Sequence, residues 1–328
     1  MALLGLLVLA WGSVWLWGLR VQSQEPLARL NEACGPLHLV STEARPWTTP
    51  DGEPRRRQDL RFSDPSGRLV RAALSLPESG NGPWPVLLVA GGFQTDLESL
   101  SAAGRHGAWA LLAYGYPGTP DAWQEGSILA KVPAIRQATA GIPGEVAGLL
   151  AWASAQPWAA SIHYGGFSLG AILGPACLRV AESRGLQVGS SVLAFGGADL
   201  GLLFDRNVRV PALTRRPARF LTLALLHPLD ARHHLAHLRT RTLILQATED
   251  RFIPRPSAEA MVRLKGGPKE VRWLEGGHMN PDDAAGTGRI VALCRGWLDA
   301  EVSGGAARPT APEDGSRAAS QPSSPAGR

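Results

Sequence analysis

Residues 166–170 read Gly-Phe-Ser-Leu-Gly, so a glycine stands two positions before and two positions after a serine. The apolar run at 162–167 predicts a strand that enters this segment, and the apolar residues after it predict a helix. A turn this tight between strand and helix needs small residues at both glycine positions and strains the backbone of the serine. Such a turn lifts the Ser168 hydroxyl clear of a sheet, which makes Ser168 a candidate nucleophile.

A serine hydroxyl is a weak nucleophile unless a base accepts its proton and a third group orients that base. Two later segments supply such groups. Asp250 follows the apolar run at 242–246, and His278 follows the run at 270–274 in a turn that contains glycines. The sequence therefore predicts Ser168 as nucleophile, Asp250 as acid and His278 as base.

Each of these residues has an alternative role. Ser168 could be an ordinary helix cap, which would explain the serine but not the two glycines. Glu249 could replace Asp250 as the acid, and so could Asp199, because Asp199 follows an earlier predicted strand. His278 could be a histidine of a surface loop.

Short apolar runs alternate with longer helical patterns along most of the chain. This alternation predicts an α/β fold, with a mostly parallel central sheet and helices on both of its faces. Runs at 59–62 and 69–76, joined by Asp64-Pro65-Ser66-Gly67, predict an antiparallel hairpin at the edge of that sheet. Further strands are predicted at 85–90, 108–114, 162–167, 191–195, 242–246 and 270–274, and helices at 144–155, 257–264 and 288–300.

More than forty residues separate the strands predicted at 191–195 and 242–246, too many for a simple connection. We expect residues 199–238 to form a small cap insertion over the carboxyl edge of the sheet. Five clustered arginines of this segment are either solvated surface charges or contacts for an anionic substrate group. They are Arg206, Arg209, Arg215, Arg216 and Arg219.

With three motifs in this order, the chain resembles the α/β-hydrolase superfamily over residues 59–300. The resemblance implies the α/β-hydrolase fold and the roles given above for Ser168, Asp250 and His278. It also implies an oxyanion hole formed by the backbone N–H of Leu169 and of a residue in 91–93, with Phe93 the first choice. Gly91 stands where many relatives carry a histidine, which leaves the second donor open.

The resemblance implies a serine hydrolase that cleaves a carboxylic ester or thioester of a small-molecule or lipid-like acyl substrate, without a cofactor. A small cap favours this reaction over peptide hydrolysis. A peptidase, an acyltransferase and a non-catalytic binding protein of the same fold stay open as alternatives.

Residues 2–19 are apolar apart from Ser13, and Arg20 ends the run. This length predicts a membrane-spanning anchor, or else an export signal, in residues 1–20. We expect a linker at 21–57, a catalytic domain at 58–302 and a disordered tail at 303–328. The extracytoplasmic side is favoured over the cytoplasmic side for the catalytic domain.

The formal net charge is +5, but the basic residues are scattered and do not form a stripe with aromatic residues. We therefore expect no nucleic-acid partner. The three cysteines have no metal-ligand spacing, and no cysteine or carboxylate joins His233, His234 and His237 in a known zinc pattern. We expect no metal site.

Overall fold

The computed structural model describes residues 2–33, 35–92, 95–118, 136, 139–280 and 282–305. Nine strands of this part of the chain form one sheet in the order β1-β2-β3-β5-β4-β6-β7-β8-β9. Their bounds are β1 His38–Thr48, β2 Pro54–Ser63, β3 Leu69–Pro77, β4 Trp84–Ala90, β5 Ala110–Gly115, β6 Ala159–Phe167, β7 Val188–Ala194, β8 Arg241–Ala247 and β9 Lys269–Leu274.

The sheet is mostly parallel. Strands β4 to β9 run in one direction, since every adjacent pair among them is parallel. Strands β1, β2 and β3 form an antiparallel edge, and β3 pairs antiparallel with β5. The predicted α/β fold with a mostly parallel sheet is confirmed.

Helices pack on both faces of this sheet. The bounds of the described helices are α1 Ala2–Gln22, α2 Pro26–Glu32, α3 Ser99–Ala102, α4 Ile142–Ser154, α5 Leu169–Ser183, α6 Leu200–Asn207, α7 Ala212–Leu226, α8 Arg255–Leu264 and α9 Ala284–Gly305. The larger apolar core joins one face to α4, α5 and α8, whereas the opposite face packs on α3 and α9. Strand β4 serves both cores, because Val86 and Leu88 face the first and Val89 faces the second.

The hairpin predicted around residues 64–67 is the β2–β3 connection. One oxygen of the Asp64 carboxylate accepts the backbone N–H groups of Ser66 and Arg68, both at 2.9 Å. Gly67 has a φ of 83°, a conformation that glycine adopts without the clash that a Cβ would cause. The turn residues thus fix the hairpin as the sequence predicts.

The segment 21–57 is not a linker, contrary to the prediction. It contains α2, β1 and the first residues of β2, so the predicted domain boundary at 58 falls inside a strand. Strand β1 is the edge of the sheet and nearly all its side chains are exposed. It therefore has no alternation of apolar and polar residues, and that alternation is the signal by which a half-buried strand is recognised.

One other predicted boundary moves. Helix α9 continues to Gly305, so residues 303–305 of the predicted disordered tail are helical. The rest of that tail, residues 306–328, lies outside the described residues. Segment 199–238, predicted to be a cap, contains α6, α7 and three short 3-10 turns between β7 and β8.

Helix α1 covers the residues predicted to form a membrane anchor and packs against α7. The Trp15 ring stacks on Phe220 with ring centroids 6.2 Å apart, and a Cβ at Gly18 would collide with the same Phe220 ring. Five apolar side chains of α1 are nevertheless 41–67% exposed: Trp11, Trp15, Leu16, Trp17 and Leu19.

No helix in the described part of the chain has both the length and the apolar character needed to cross a membrane.

Candidate active site

Ser168 lies in the turn between β6 and α5, with φ 51° and ψ −108°. A positive φ is uncommon for a residue with a side chain and costs about 1–3 kcal/mol. The surrounding structure holds the strained conformation, since the Ser168 N–H donates a 2.9 Å hydrogen bond to the Ala194 carbonyl at the end of β7. The strained turn predicted from the glycine pattern is present.

Crowding explains the two glycines around Ser168. A Cβ at Gly166 would lie 2.5 Å from the carbonyl oxygen of Gly170, and a Cβ at Gly170 would collide with the carbonyl of Ala90. The Gly170 N–H also donates to the Gly91 carbonyl, at 3.2 Å. The start of α5 can therefore approach β4 and β6 this closely only when both positions lack a side chain.

The structure brings Ser168, His278 and Asp250 together in one hydrogen-bonded chain. Nε2 of His278 lies 2.9 Å from the Ser168 hydroxyl, and Nδ1 lies 2.6 Å from one carboxylate oxygen of Asp250. The other oxygen of Asp250 accepts the backbone N–H groups of Phe252 and Ile253, at 2.8 and 2.9 Å. The backbone after Asp250 thus holds its carboxylate in place, and the carboxylate holds the His278 imidazole.

The His278 ring is enclosed. Its side chain is 9% exposed and that of Asp250 is 4% exposed. The rings of Phe195 and Phe252 meet it edge to face, with centroids 5.7 and 5.2 Å away. A carboxylate in such a dry position holds one tautomer and stabilises positive charge on the imidazole.

The carboxylate that contacts His278 is that of Asp250, and the two alternative acids have other surroundings. Glu249 is exposed. Asp199 accepts the backbone N–H groups of Gly201 and Leu202 at the start of α6 and pairs with Arg232 at 3.1 Å. The geometry therefore favours Asp250 as the partner of His278, while the catalytic roles of all three residues stay predictions.

One of the two predicted oxyanion donors can be placed. Leu169 is the first residue of α5 and directly follows Ser168, so its N–H has no carbonyl partner within the helix. Residues 91–92 also lie close to Ser168, since a Cβ at Gly92 would lie 3.5 Å from the Cβ of Ser168. Phe93, predicted as the second donor, lies outside the described residues.

Of the three histidines weighed as metal ligands, His233 and His237 end two successive 3-10 turns, and His234 lies between these turns. His233 Nε2 lies 3.2 Å from His227 Nδ1, and His234 Nε2 lies 2.7 Å from the Pro228 carbonyl. Burial lowers the pKa of His234 to about 4. In the described part of the chain, no group of three or more His, Cys, Asp or Glu residues is placed to hold a metal ion.

A cavity of about 890 Å³ has Ser168 and His278 in its wall. It extends in two directions, which we name the cap arm and the sheet arm. The cap arm lies under the predicted cap and is lined by Leu200, Leu203, Phe204, Thr222 and Leu226. The sheet arm lies between the sheet and α9 and is lined by Leu87, Val89, Leu111, Gly165, Val291 and Leu298. Sequence reasoning missed the sheet arm, although a glycine inside β6 was a signal for it.

No family model and no curated protein matches the sequence. Solved structures do match the fold. Acetyl xylan esterase 1 from Thermoanaerobacterium sp. JW/SL YS485 has a TM-score of 0.59 at 15% identity, over 78% of this chain and 88% of that one. The acetyl xylan esterase from Paenibacillus sp. R4 has a TM-score of 0.58 at 16% identity, over 84% and 94%. A cold-adapted esterase from an Arctic intertidal metagenomic library has a TM-score of 0.54 at 16% identity, over 80% and 99%.

Proposed function

We propose that this chain, whose fold is that of the α/β-hydrolase superfamily, is a serine hydrolase that cleaves a carboxylic ester or thioester through an acyl-enzyme on Ser168. The observation that carries the proposal is the position of His278 between the Ser168 hydroxyl and the Asp250 carboxylate. The solved structures with a similar fold support it, because those named above are esterases.

In the first half of the reaction, the Ser168 oxygen attacks the carbonyl carbon while His278 Nε2 accepts the hydroxyl proton. The oxyanion that forms is stabilised by the Leu169 N–H and by a second donor from residues 91–93. When the intermediate collapses, the bond to the alcohol or thiol breaks and that leaving group takes the proton from His278.

In the second half, His278 accepts a proton from water and the hydroxide attacks the acyl carbon on Ser168. Collapse releases the carboxylic acid and returns the proton to Ser168. Throughout, Asp250 orients the imidazole and stabilises its positive charge. A peptidase or an acyltransferase would use the same groups, but an apolar cavity offers few partners for the backbone of a peptide, which favours an acyl substrate.

The test is turnover of p-nitrophenyl acetate and labelling by a fluorophosphonate probe. Ser168→Ala and His278→Ala should each lower kcat by about 10⁴ or more, because the members of such a triad act as a unit. Ser190→Ala is the matched control, since that serine also contacts a histidine, His163, which lies at the middle of β6. A folded Ser168→Ala protein that retains turnover, or a wild-type protein that the probe does not label at Ser168, would refute the proposal, the second in favour of a non-catalytic binding role.

We also propose that α1 attaches the chain to a membrane, with the catalytic domain on the extracytoplasmic side. The support is the set of exposed tryptophan and leucine side chains on α1 beside the exposed Arg20, an arrangement suited to a lipid headgroup region. Helix α7, on which α1 packs, also contributes Thr222 and Leu226 to the cap arm. A lipid-like substrate would therefore pass from the membrane to the nucleophile over a short path.

Flotation with liposomes tests this attachment. The full chain should float with vesicles of anionic lipid, and the double variant Trp11→Ser/Trp17→Ser should float much less. Leu69→Ser, which removes an exposed apolar side chain at the start of β3, is the control and should float like the wild type. Equal recovery of all three proteins with the vesicles, or of none, would contradict the role given to α1.

A further inference from the structure

We propose that the sheet arm is the binding site for a long, unbranched apolar acyl chain, so that the substrates are esters or thioesters of medium- to long-chain acids. This inference rests on the proposed acyl-enzyme at Ser168. It adds the class of acyl group and the place where that group lies.

The residues of the sheet arm show that it is a space between two layers. Leu87 and Val89 are two positions apart on β4, so their side chains are on the same face of the sheet, the face that packs on α9. From α9, Val291 and Leu298 line the arm seven positions apart and so lie on one side of the helix. The arm is therefore enclosed by the sheet on one side and by a helix on the other.

Among the described residues, a short helix with small side chains lies opposite this part of the sheet. Helix α3, which lies over this part of the sheet, has only four residues and presents the small side chains of Ser99 and Ala102 to the cavity. A longer helix with leucines at these positions would fill the space, as helices do in closely packed interiors. The hollow is thus a consequence of short, small-residue local structure.

Gly165 is the second reason that the arm is open. It is buried in β6, and a Cβ there would meet Leu87 and Phe167 at 3.5 Å, an ordinary van der Waals distance. Its φ is not in the positive range, so neither crowding nor backbone conformation requires a glycine. Gly166 and Gly170, in contrast, have no room for a side chain. A strand glycine that the fold does not need weakens the strand and is typical of a place that a ligand approaches closely.

The far end of the arm favours an apolar ligand over an anionic one. The His106 ring, which lines that end, is occupied on both nitrogens, by the Ser75 hydroxyl and by the Leu100 carbonyl, each at 2.9 Å. Arg295 donates to the Arg105 carbonyl and pairs with Asp299 at 3.7 Å. His106 and Arg295 thus have partners inside the protein, while Arg105, which also lines the cavity, is exposed to solvent. The walls of the sheet arm itself are carbon.

The dimensions suit a chain rather than a compact group. The arm is lined by β6, β4 and β5, which are adjacent in the sheet, so it extends about 10 Å across the strands at the usual strand spacing of about 4.8 Å. Its flat shape between layers favours an unbranched chain. The acyl group stays on Ser168 while the alcohol leaves and water enters, so the enclosed arm suits the acyl group and the cap arm suits the leaving group.

Turnover of p-nitrophenyl esters from acetate to palmitate tests the inference, together with two variants that fill the arm from opposite walls. Gly165→Leu adds a side chain from β6. Val291→Trp adds a larger side chain from α9 and leaves every residue of the sheet unchanged. For the wild type, kcat/KM should rise from acetate to octanoate or laurate. In either variant the ratio of kcat/KM for laurate to kcat/KM for acetate should fall at least about tenfold.

Gly296→Leu is the control, because Gly296 is exposed on the same helix and a Cβ there meets nothing within 4 Å. Its profile across the ester series should be that of the wild type. If the wild type hydrolyses acetate best, or if both arm-filling variants keep the wild-type preference for long esters, the acyl-chain site is wrong while the serine mechanism stands. If wild type hydrolyses no ester and the fluorophosphonate does not label Ser168, the proposed function itself has failed.

Discussion

Strand β6 has one serine–histidine contact at its middle and another just past its carboxyl end, and the two contacts differ in what surrounds them. At the middle of the strand, His163 lies between the hydroxyls of Ser161 and Ser190, at 2.8 and 2.7 Å. At its carboxyl end, His278 lies between the Ser168 hydroxyl and the Asp250 carboxylate, at 2.9 and 2.6 Å. The distances are nearly the same, so distance alone does not distinguish a catalytic pair.

Three features separate the two sites. Only Ser168 has a strained backbone, with φ 51°, and only Ser168 lines the large cavity, whereas His163 is 4% exposed with its ring against Trp109. The ring of His278 faces a carboxylate, and that of His163 faces a second hydroxyl. Burial lowers the pKa of His163 to about 4, which keeps that ring neutral at pH 7. A base that must accept a proton needs the carboxylate and the access that His163 lacks.

The largest effect is expected from a substitution in the site at the carboxyl end of β6. Asp250→Asn should lower kcat by about 10³ to 10⁴, because an amide cannot stabilise the charged imidazole and favours the wrong tautomer. Ser190→Ala, which removes the corresponding partner of His163, should leave kcat within about twofold. Steady-state kinetics on p-nitrophenyl esters, with circular dichroism to verify folding, measures both. Similar losses in the two variants would show that the two sites are not functionally different.

The second prediction concerns pH and the buried histidine. The unfolded chain protonates His163 near 6.5, and the folded chain near 4. The unfolded state therefore binds more protons between these values, so the free energy of unfolding should fall as the pH drops from about 6.5 to about 4. The full shift corresponds to about 3 kcal/mol.

His163→Gln isolates this contribution. Urea unfolding at pH 7 and pH 4.5 should show a loss of stability that is about 2–3 kcal/mol smaller in the variant than in the wild type. His106 and His234, whose pKa values are also lowered to about 4 by burial, titrate in both proteins and cancel in the difference. If the variant loses as much stability between pH 7 and pH 4.5 as the wild type does, His163 is not held neutral by burial.

Sequence reasoning reached the carboxyl end of the sheet because its signals there are local. The glycines around Ser168 stand where the backbone has no room for a Cβ. Ser168, Asp250 and His278 each follow an apolar strand. Strand β1 had no such signal, because its exposed position removes the apolar alternation. The sheet arm depends on the short helix α3, which lies over β4 and β5, a juxtaposition of distant segments that no short pattern contains.

A third prediction sharpens the choice of carboxylate. Asp199→Ala should lower the free energy of unfolding by about 1 kcal/mol for the lost cap of α6 and by about 1 kcal/mol for an alanine in a left-handed conformation. Activity should stay within about twofold of the wild type, because Asp199 pairs with Arg232 rather than with a histidine.

Asp199→Asn is the control for that substitution. Asparagine tolerates the φ of 75° and keeps a side-chain oxygen for the cap, so most of the stability should return. Thermal unfolding and ester turnover of the two variants make the comparison. A loss of turnover in Asp199→Asn as large as that expected for Asp250→Asn would move the acid to the turn after β7.

The smallest expected effect is that of Glu249→Gln, one residue before the predicted acid. The Glu249 side chain is exposed, and its contribution to the fold is a backbone N–H that donates to the Gly276 carbonyl at 2.9 Å, which glutamine retains. The free energy of unfolding should change by less than about 0.5 kcal/mol. Because water and salt screen an exposed charge, kcat should also be unchanged at about 0.15 M salt, with at most a small difference at low salt. A salt-independent fall in kcat, measured beside Asp250→Asn, would show that Glu249 reaches His278 during turnover and shares the role given to Asp250.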